Sequence, residues 1–422
     1  MTDAGSSLGE LLELDVGDIA GGGGCVARAP DGRVVFVRHA IPGERVMAQV
    51  TSTTTSFLRA DATEILRASP DRVQPPCEYA GPGGCGGCDF QHVALPAQRK
   101  LKASRVVEQL HRVAGVERGV HVEGMPGDRT GLGWRTRVRL GVDQSGQPGY
   151  RRHRSHELQH VDHCPIARAE VIETGALAAS WPGVDELEVI VAPDTHESLV
   201  AVDTSRGNKP RLPAVSARVV VNGRPEQRSS AVHTVVCDVN FRVSAGVFWQ
   251  VHVGAAKALV GAVRAALGAE PGDSVVDLYA GAGLFSVLLA DDVGPRGSVL
   301  AVERDRRACA DAEYNGRGRA HLRVKKASIT PNLIASGIGR PDLLVLDPAR
   351  EGAGKAVMGA LAEHISTLRR LVYVSCDPSS FSRDIRVLLD ANWTLTSLRA
   401  FDIFPMTEHV ELVAALEPPV TR

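Results

Sequence analysis

From Asp273 onward the chain alternates short apolar runs with helix-length segments: DSVVDLYAGAG, SVLAVERD, HLRVKKAS, PDLLVLDPAR, RRLVYVSCDP, WTLTSLRAFDIF and HVELVAALE. Apolar strands separated by helices form a mostly parallel sheet covered on both faces. The pattern therefore predicts a doubly wound α/β domain over residues 241–422, with its ligands at the carboxyl ends of the strands.

At 422 residues the chain exceeds what one core usually organises, and the upstream pattern differs. Residues 1–67 read as short strands with glycine-rich turns, a small β-barrel with a Pro42-Gly43 turn. Residues 68–240 form a central segment. It opens on a cysteine cluster and continues with a helix over 95–115, begun by Pro96 and ended by Gly115, which is a candidate to dock on the catalytic domain. Its apolar stripe contains Leu101, Val106, Val107, Leu110, Val113 and Ala114, which leaves Arg99, Lys100, Lys102, Arg105 and Arg112 for solvent or phosphate. RTRVRLGVD, ELEVIVAP, ESLVAVD and ARVVVNG then predict antiparallel strands.

The formal net charge of -1 conceals an uneven distribution. Between Arg99 and Arg168 there are 14 Lys or Arg against 7 Asp or Glu, together with 6 of the 14 histidines. Such a stretch can supply phosphate-binding charge, or it can be a solvated surface with local ion pairs. The N-terminus MTDAGSSLGELLELDVGD is acidic, and no apolar run approaches the roughly 20 residues that span a bilayer, so a cytoplasmic protein without membrane contact is expected.

Of eight cysteines, Cys77, Cys85 and Cys88 form C-x7-C-x2-C, and Cys164 follows in His-Cys-Pro-Ile. Four thiolates suit a [4Fe-4S] cluster or tetrahedral zinc, and spacing alone does not separate them. Cys25, Cys237 and Cys309 have no evident partners and read as buried thiols.

The first strand of the α/β region ends in Asp277-Leu-Tyr279-Ala-Gly281-Ala-Gly283, and Glu303 closes the next. A glycine turn with a carboxylate one strand away is how such a sheet holds a nucleoside, whether a nicotinamide dinucleotide or S-adenosylmethionine. Three further strand-end segments decide between them: Asp347-Pro-Ala-Arg350, Ser375-Cys376-Asp377-Pro378 and Phe404-Pro-Met-Thr407-Glu-His409-Val-Glu411. With Val247-Phe-Trp-Gln250-Val-His252 ahead of the glycine turn, their order and spacing closely resemble the RNA 5-methyluridine methyltransferase family. The likeness extends over essentially the whole chain. Residues 1–67 resemble the TRAM domain, an RNA-binding module of the OB type, and the nearest subgroup methylates 23S ribosomal RNA and carries an iron-sulfur cluster.

The resemblance implies a class I, Rossmann-like methyltransferase domain that transfers a methyl group from S-adenosylmethionine to carbon 5 of a uridine. Cys376 would be the nucleophile, Glu411 the base, and Gln250, Tyr279, Glu303 and Asp347 the cofactor site. It also favours [4Fe-4S] on Cys77, Cys85, Cys88 and Cys164, with an RNA substrate and a monomeric protein. Three positions depart from the pattern: Leu284 and Ala327, where the family carries polar residues, and Asp377, where it has asparagine. The competing readings are a tRNA uridine methyltransferase and an RNA-binding protein with a vestigial methyltransferase fold.

Overall fold

The computed structural model describes residues 7–205, 210–222, 224–225, 230–364 and 367–419; residues 1–6 of the N-terminal segment and Gly223 of ARVVVNG lie outside them. Strands β1 (Leu11–Asp15), β2 (Cys25–Arg28), β3 (Val34–Arg38), β4 (Arg45–Thr53) and β5 (Phe57–Arg67) form one sheet in the order β1-β4-β5-β3-β2. Alternate residues of all five, including Leu12, Leu14, Cys25, Ala27, Val35, Val37, Val46, Leu58 and Ala60, share one buried core, so the sheet closes around its own inner face. Phe90, Val93 and Ala97 from the next segment complete that core.

Helix α1 (Leu95–Gln109) follows, with proline in its first turn. It runs into a π-helical turn (Leu110–Ala114) and stops at Gly115, whose φ of +69° suits glycine. A seven-stranded sheet then spans Arg137 to Pro225, antiparallel except where Leu199–Val202 pairs parallel with Arg218–Val221.

The largest sheet has eight strands: β6 (Val122–Gly124), β7 (Ser274–Leu278), β8 (Ser298–Glu303), β9 (Leu322–Lys326), β10 (Leu343–Leu346), β11 (Arg370–Ser375), β12 (Thr394–Asp402) and β13 (Glu411–Glu417). Their order is β9-β8-β7-β10-β11-β13-β12-β6. Five neighbours on one side are parallel, β13 is antiparallel to both β11 and β12, and β6 pairs parallel with β12. Period-two alternation divides the strands between two cores. Val276, Leu278, Leu344, Leu346, Leu371 and Tyr373 face one side, and Val275, Leu343, Val345, Val372 and Val374 face the other. Helices α2 (Ala255–Leu267) and α3 (Leu284–Val293) cover the second side. Helices α4 (Lys355–His364) and α5 (Pro378–Asp390) cover the first, together with Val106, Leu110 and Ala114 of the α1 segment. Among the described residues no helix is long and apolar enough to cross a membrane.

The cations of α1 are not free as its apolar stripe predicted. Lys102 is 1% exposed and pairs with Asp402; Arg99 bonds the same carboxylate, and Arg105 bonds Glu408. Arg112 pairs with Glu108 on its own helix. Three of the five cations therefore pin α1 to the end of β12 and the loop that follows it.

Candidate active site

Residues from five strand ends meet at one edge of the eight-stranded sheet. Tyr279, Glu303, Asp347 and Cys376 lie at or just beyond the carboxyl ends of β7, β8, β10 and β11. Because β13 runs antiparallel, its first residue, Glu411, lies at that same edge. Ser375, the last residue of β11, pairs with Leu412, which brings the next residue, Cys376, near Glu411, whose charge acts on its thiol.

The turn after β7 is held in a sparsely populated conformation. Tyr279 has a φ of +64°, a strained value for a residue with a side chain and one that clusters at functional sites. Gly281 N–H donates to Glu303 Oε2 at 3.0 Å, while Glu303 Oε1 accepts from the backbone of Arg304 and Asp305. The carboxylate that closes β8 is thus fixed against the glycine turn. Asp277, fully buried behind the turn, accepts from Ser286 Oγ through Oδ2 and has no partner at Oδ1 among the described residues. Burial pushes its carboxyl up to about 7. Gln250 is buried ahead of α2. Leu284 begins α3 immediately after the turn, and Ala327 N–H bonds the Glu303 carbonyl. The two departures from the family pattern therefore border the glycine turn and Glu303.

Burial pushes the Cys376 thiol up to about 12; the charges of Glu411, Asp347 and Asp377 add to the rise and Arg350 opposes it. Glu411 is 3% exposed, and burial together with the charge of Asp347 raises its carboxyl well above the usual range. Asp347, half-buried, is raised by burial and then by Asp277. Each of these acids is raised by the charge of another in turn, Glu411 by Asp347 and Asp347 by Asp277. Arg350 Nη2 donates to His409 Nε2 at 3.0 Å. Burial, then Arg350, hold His409 down at about 3, so its ring is neutral and accepts at Nε2.

Comparisons with known proteins place the chain in a family. Residues 5–63 match the TRAM domain family. The chain is 45% identical over 436 residues to an uncharacterized RNA methyltransferase of Streptomyces coelicolor, covering 98% of this chain and 94% of that one. It is 43% identical to another from Streptomyces avermitilis, covering 97% and 99%. The chain belongs to this RNA methyltransferase family. Among solved structures, the Pyrococcus abyssi tRNA (uracil-54, C5)-methyltransferase in complex with S-adenosyl-L-homocysteine shares the fold, with a TM-score of 0.73 at 22% identity over 96% of this chain and all of that one.

In this RNA methyltransferase the cysteines read as metal ligands come together. Cys77, Cys85, Cys88 and Cys164 line one cavity of about 250 Å³ with Arg135 and Tyr150. Burial raises the thiols of Cys77, Cys85 and Cys88, so forming thiolates there requires nearby positive charge. Among the described residues no group of three or more His, Cys, Asp or Glu side chains is placed to hold a metal ion. Cys25 and Cys309 are buried elsewhere and Cys237 is half-buried.

Residues that sequence reasoning missed surround the Phe404–Glu411 loop. Met406, at a φ of +67°, donates its N–H to Gln98 Oε1 at 2.9 Å and accepts at its carbonyl from Asp89 and Phe90. Glu408 Oε2 accepts from Gly22 N, Gly23 N and Arg105 Nη1 at 2.7, 2.8 and 2.7 Å. One carboxylate thus joins the barrel, α1 and the catalytic loop. Gly23 has no room for a side chain: a Cβ would lie 2.6 Å from that of Asp89. An acidic residue three places before Glu411 was visible in the sequence, but nothing marked its partners.

Proposed function

We propose that this RNA methyltransferase transfers a methyl group from S-adenosylmethionine to carbon 5 of a uridine, through a covalent bond between Cys376 and the uracil that Glu411 resolves. The observation that carries this reading is that Cys376 and Glu411 each stand one residue beyond the Ser375–Leu412 pair, close enough for the Glu411 charge to act on the thiol. Uracil carbon 5 is too weak a nucleophile to attack a methyl sulfonium unaided. Addition of the Cys376 thiolate to carbon 6 converts the ring to an enolate, whose carbon 5 takes the methyl group. The remaining hydrogen at carbon 5 must then leave as a proton before the thiolate is expelled, which requires a base on that face. Burial of Glu411 supports this role, because it raises the basicity of the carboxylate.

S-Adenosylmethionine supplies the methyl group when bound. Tyr279, Glu303, Asp347 and Gln250 would hold it at the strand ends, with Glu303 offered to ribose hydroxyls. A [4Fe-4S] cluster would be held by Cys77, Cys85, Cys88 and Cys164, a reading supported by the four thiols lining one cavity, which would also admit zinc. Its part would be structural, tying the segment after the barrel to the loop around Cys164.

The substrate in this reading is 23S ribosomal RNA, met by a monomeric cytoplasmic enzyme, with the target uridine flipped out of a loop. A tRNA target is the second reading, favoured by the substrate in the name of the Pyrococcus abyssi enzyme. Mapping 5-methyluridine in both RNAs from a strain lacking this chain separates the two.

Two variants test the mechanism. Cys376→Ala should form no adduct and transfer no methyl group while still binding S-adenosylmethionine. Glu411→Gln should transfer the methyl group and stall, accumulating a methyl-labelled protein–RNA adduct on a denaturing gel. Turnover by Cys376→Ala would refute the covalent route.

A further inference from the structure

Asp377 differs from an asparagine here through one atom. Its Oδ1 accepts from Ser380 N at 2.7 Å and caps α5, which an asparagine oxygen does equally well. The aspartate adds charge at Oδ2, and Oδ2 faces Arg105, whose Nη2 lies 3.9 Å away. Arg105 comes from α1 and is held by Glu408, which the Gly22–Gly23 turn of the barrel grips in turn. The Arg105 and Glu408 side chains are 11% and 13% exposed and that of Asp377 is 30% exposed, so solvent screens the Arg105–Asp377 pair in part.

The surroundings of Cys376 are predominantly acidic. Glu411 comes from β13, Asp347 and Arg350 from the segment after β10, and Asp377 from the start of α5. His409 is neutral and adds no positive charge, while Lys102 is committed to Asp402. A fixed anion next to the nucleophile disfavours the thiolate, and a cation on that anion restores it.

We propose that Arg105 is a positioning residue that offsets the charge of Asp377 beside Cys376, and that Glu408 and the barrel's glycine turn hold it there. The proposal gains its catalytic meaning from Cys376 as nucleophile, but its test needs neither RNA nor cofactor. The thiol proton leaves to solvent base, and the sulfur so freed attacks an alkylating agent.

The experiment measures alkylation of Cys376 by iodoacetamide in the intact protein at about pH 8, where sulfur displaces iodide at a rate set by the thiolate fraction. Peptide mass spectrometry reports that cysteine alone. Arg105→Gln should slow the reaction about tenfold, the equivalent of one unit of thiol pKa. Arg105→Lys, which keeps the charge, should react at the wild-type rate. With Asp377→Asn in place, adding Arg105→Gln should slow the reaction far less, because the anion beside Cys376 is gone and Glu408, still held by the Gly22 and Gly23 amides, is not among the charges that act on the thiol. A rate in Arg105→Gln at or above wild type, or equal slowing with and without Asp377→Asn, would overturn the proposal. A protein that follows the expected pattern but forms no adduct with RNA carrying 5-fluorouridine would refute the nucleophile assignment and leave the role of Arg105 standing.

Discussion

Lys102 and Asp402, 300 residues apart in the chain, form an ion pair with neither side chain exposed, Nζ lying 2.5 Å from Oδ1. Lys102 also donates to the Phe404 carbonyl at 3.0 Å, so the pair fixes where the catalytic loop begins. Removing one partner of a buried pair leaves an uncompensated charge. Lys102→Met should therefore cost about 3 kcal/mol of stability, and Lys102→Met with Asp402→Asn much less. Calorimetric melting of the three proteins checks this, and a single variant that melts with wild type would show that Arg99 alone satisfies Asp402.

Anaerobically purified protein should be brown and contain iron and sulfide in comparable amounts, held by the four cysteines around the cavity. Cys88→Ser should lose colour and iron together, and removal of the cluster by a chelator should lower the melting temperature. Stoichiometric zinc in place of iron, by elemental analysis, would reassign the site.

RNA binding should weaken steeply with salt, because cations of the barrel and the central segment release counterions when they meet phosphates. Arg59, whose guanidinium lies 4.7 Å from the Phe57 ring centre, and Arg154 stand close enough for their charges to oppose one another. Replacing either by alanine should reduce the slope of log affinity against log salt by about one. An unchanged slope in filter-binding titrations would remove that arginine from the RNA interface.

Asp277 provides a pH test. Burial raises its folded pKa to about 7, above the ordinary value of about 4 that it regains on unfolding. Between those values the folded protein keeps a proton that the unfolded chain has lost, so this group lowers stability as pH rises. Asp277→Asn should gain stability relative to wild type from about pH 4 to about pH 7, and the gap should level off above. Urea midpoints across that range measure it, and a constant difference would mean the carboxylate is charged in the fold.

The strand-end positions of Cys376 and Glu411 were legible because strand ends follow from pattern: the alternation beginning at Asp273 fixes the sheet, the sheet fixes its carboxyl edge, and both residues stand on it. The helical stripe of α1 located the buried Val106 and Leu110 for the same local reason. Lys102 was misread because a charged side chain opposite an apolar stripe reads as solvated unless its partner is known, and Asp402 gives no local signal. The pairing of Arg105 with Glu408 was hidden on the same ground. The strained turns at Tyr279 and Met406 were hidden as well, since neither residue type favours a positive φ and only the packing around them imposes it.

The short strand Val122–Gly124 falls within the 68–240 segment, yet it forms the outer rung of the catalytic sheet, while Phe90, Val93 and Ala97 complete the core of the barrel. The chain is braided, each layer closed by a strip from another. A recombination event or a fusion that severs it once at residue 240 would leave β12 with a bare edge and uncover the apolar patch beneath α1, both invitations to aggregate. Within this chain the methyltransferase half is not a transplantable cassette; it would be inherited, exchanged or engineered together with the strip from Leu95 to Gly124.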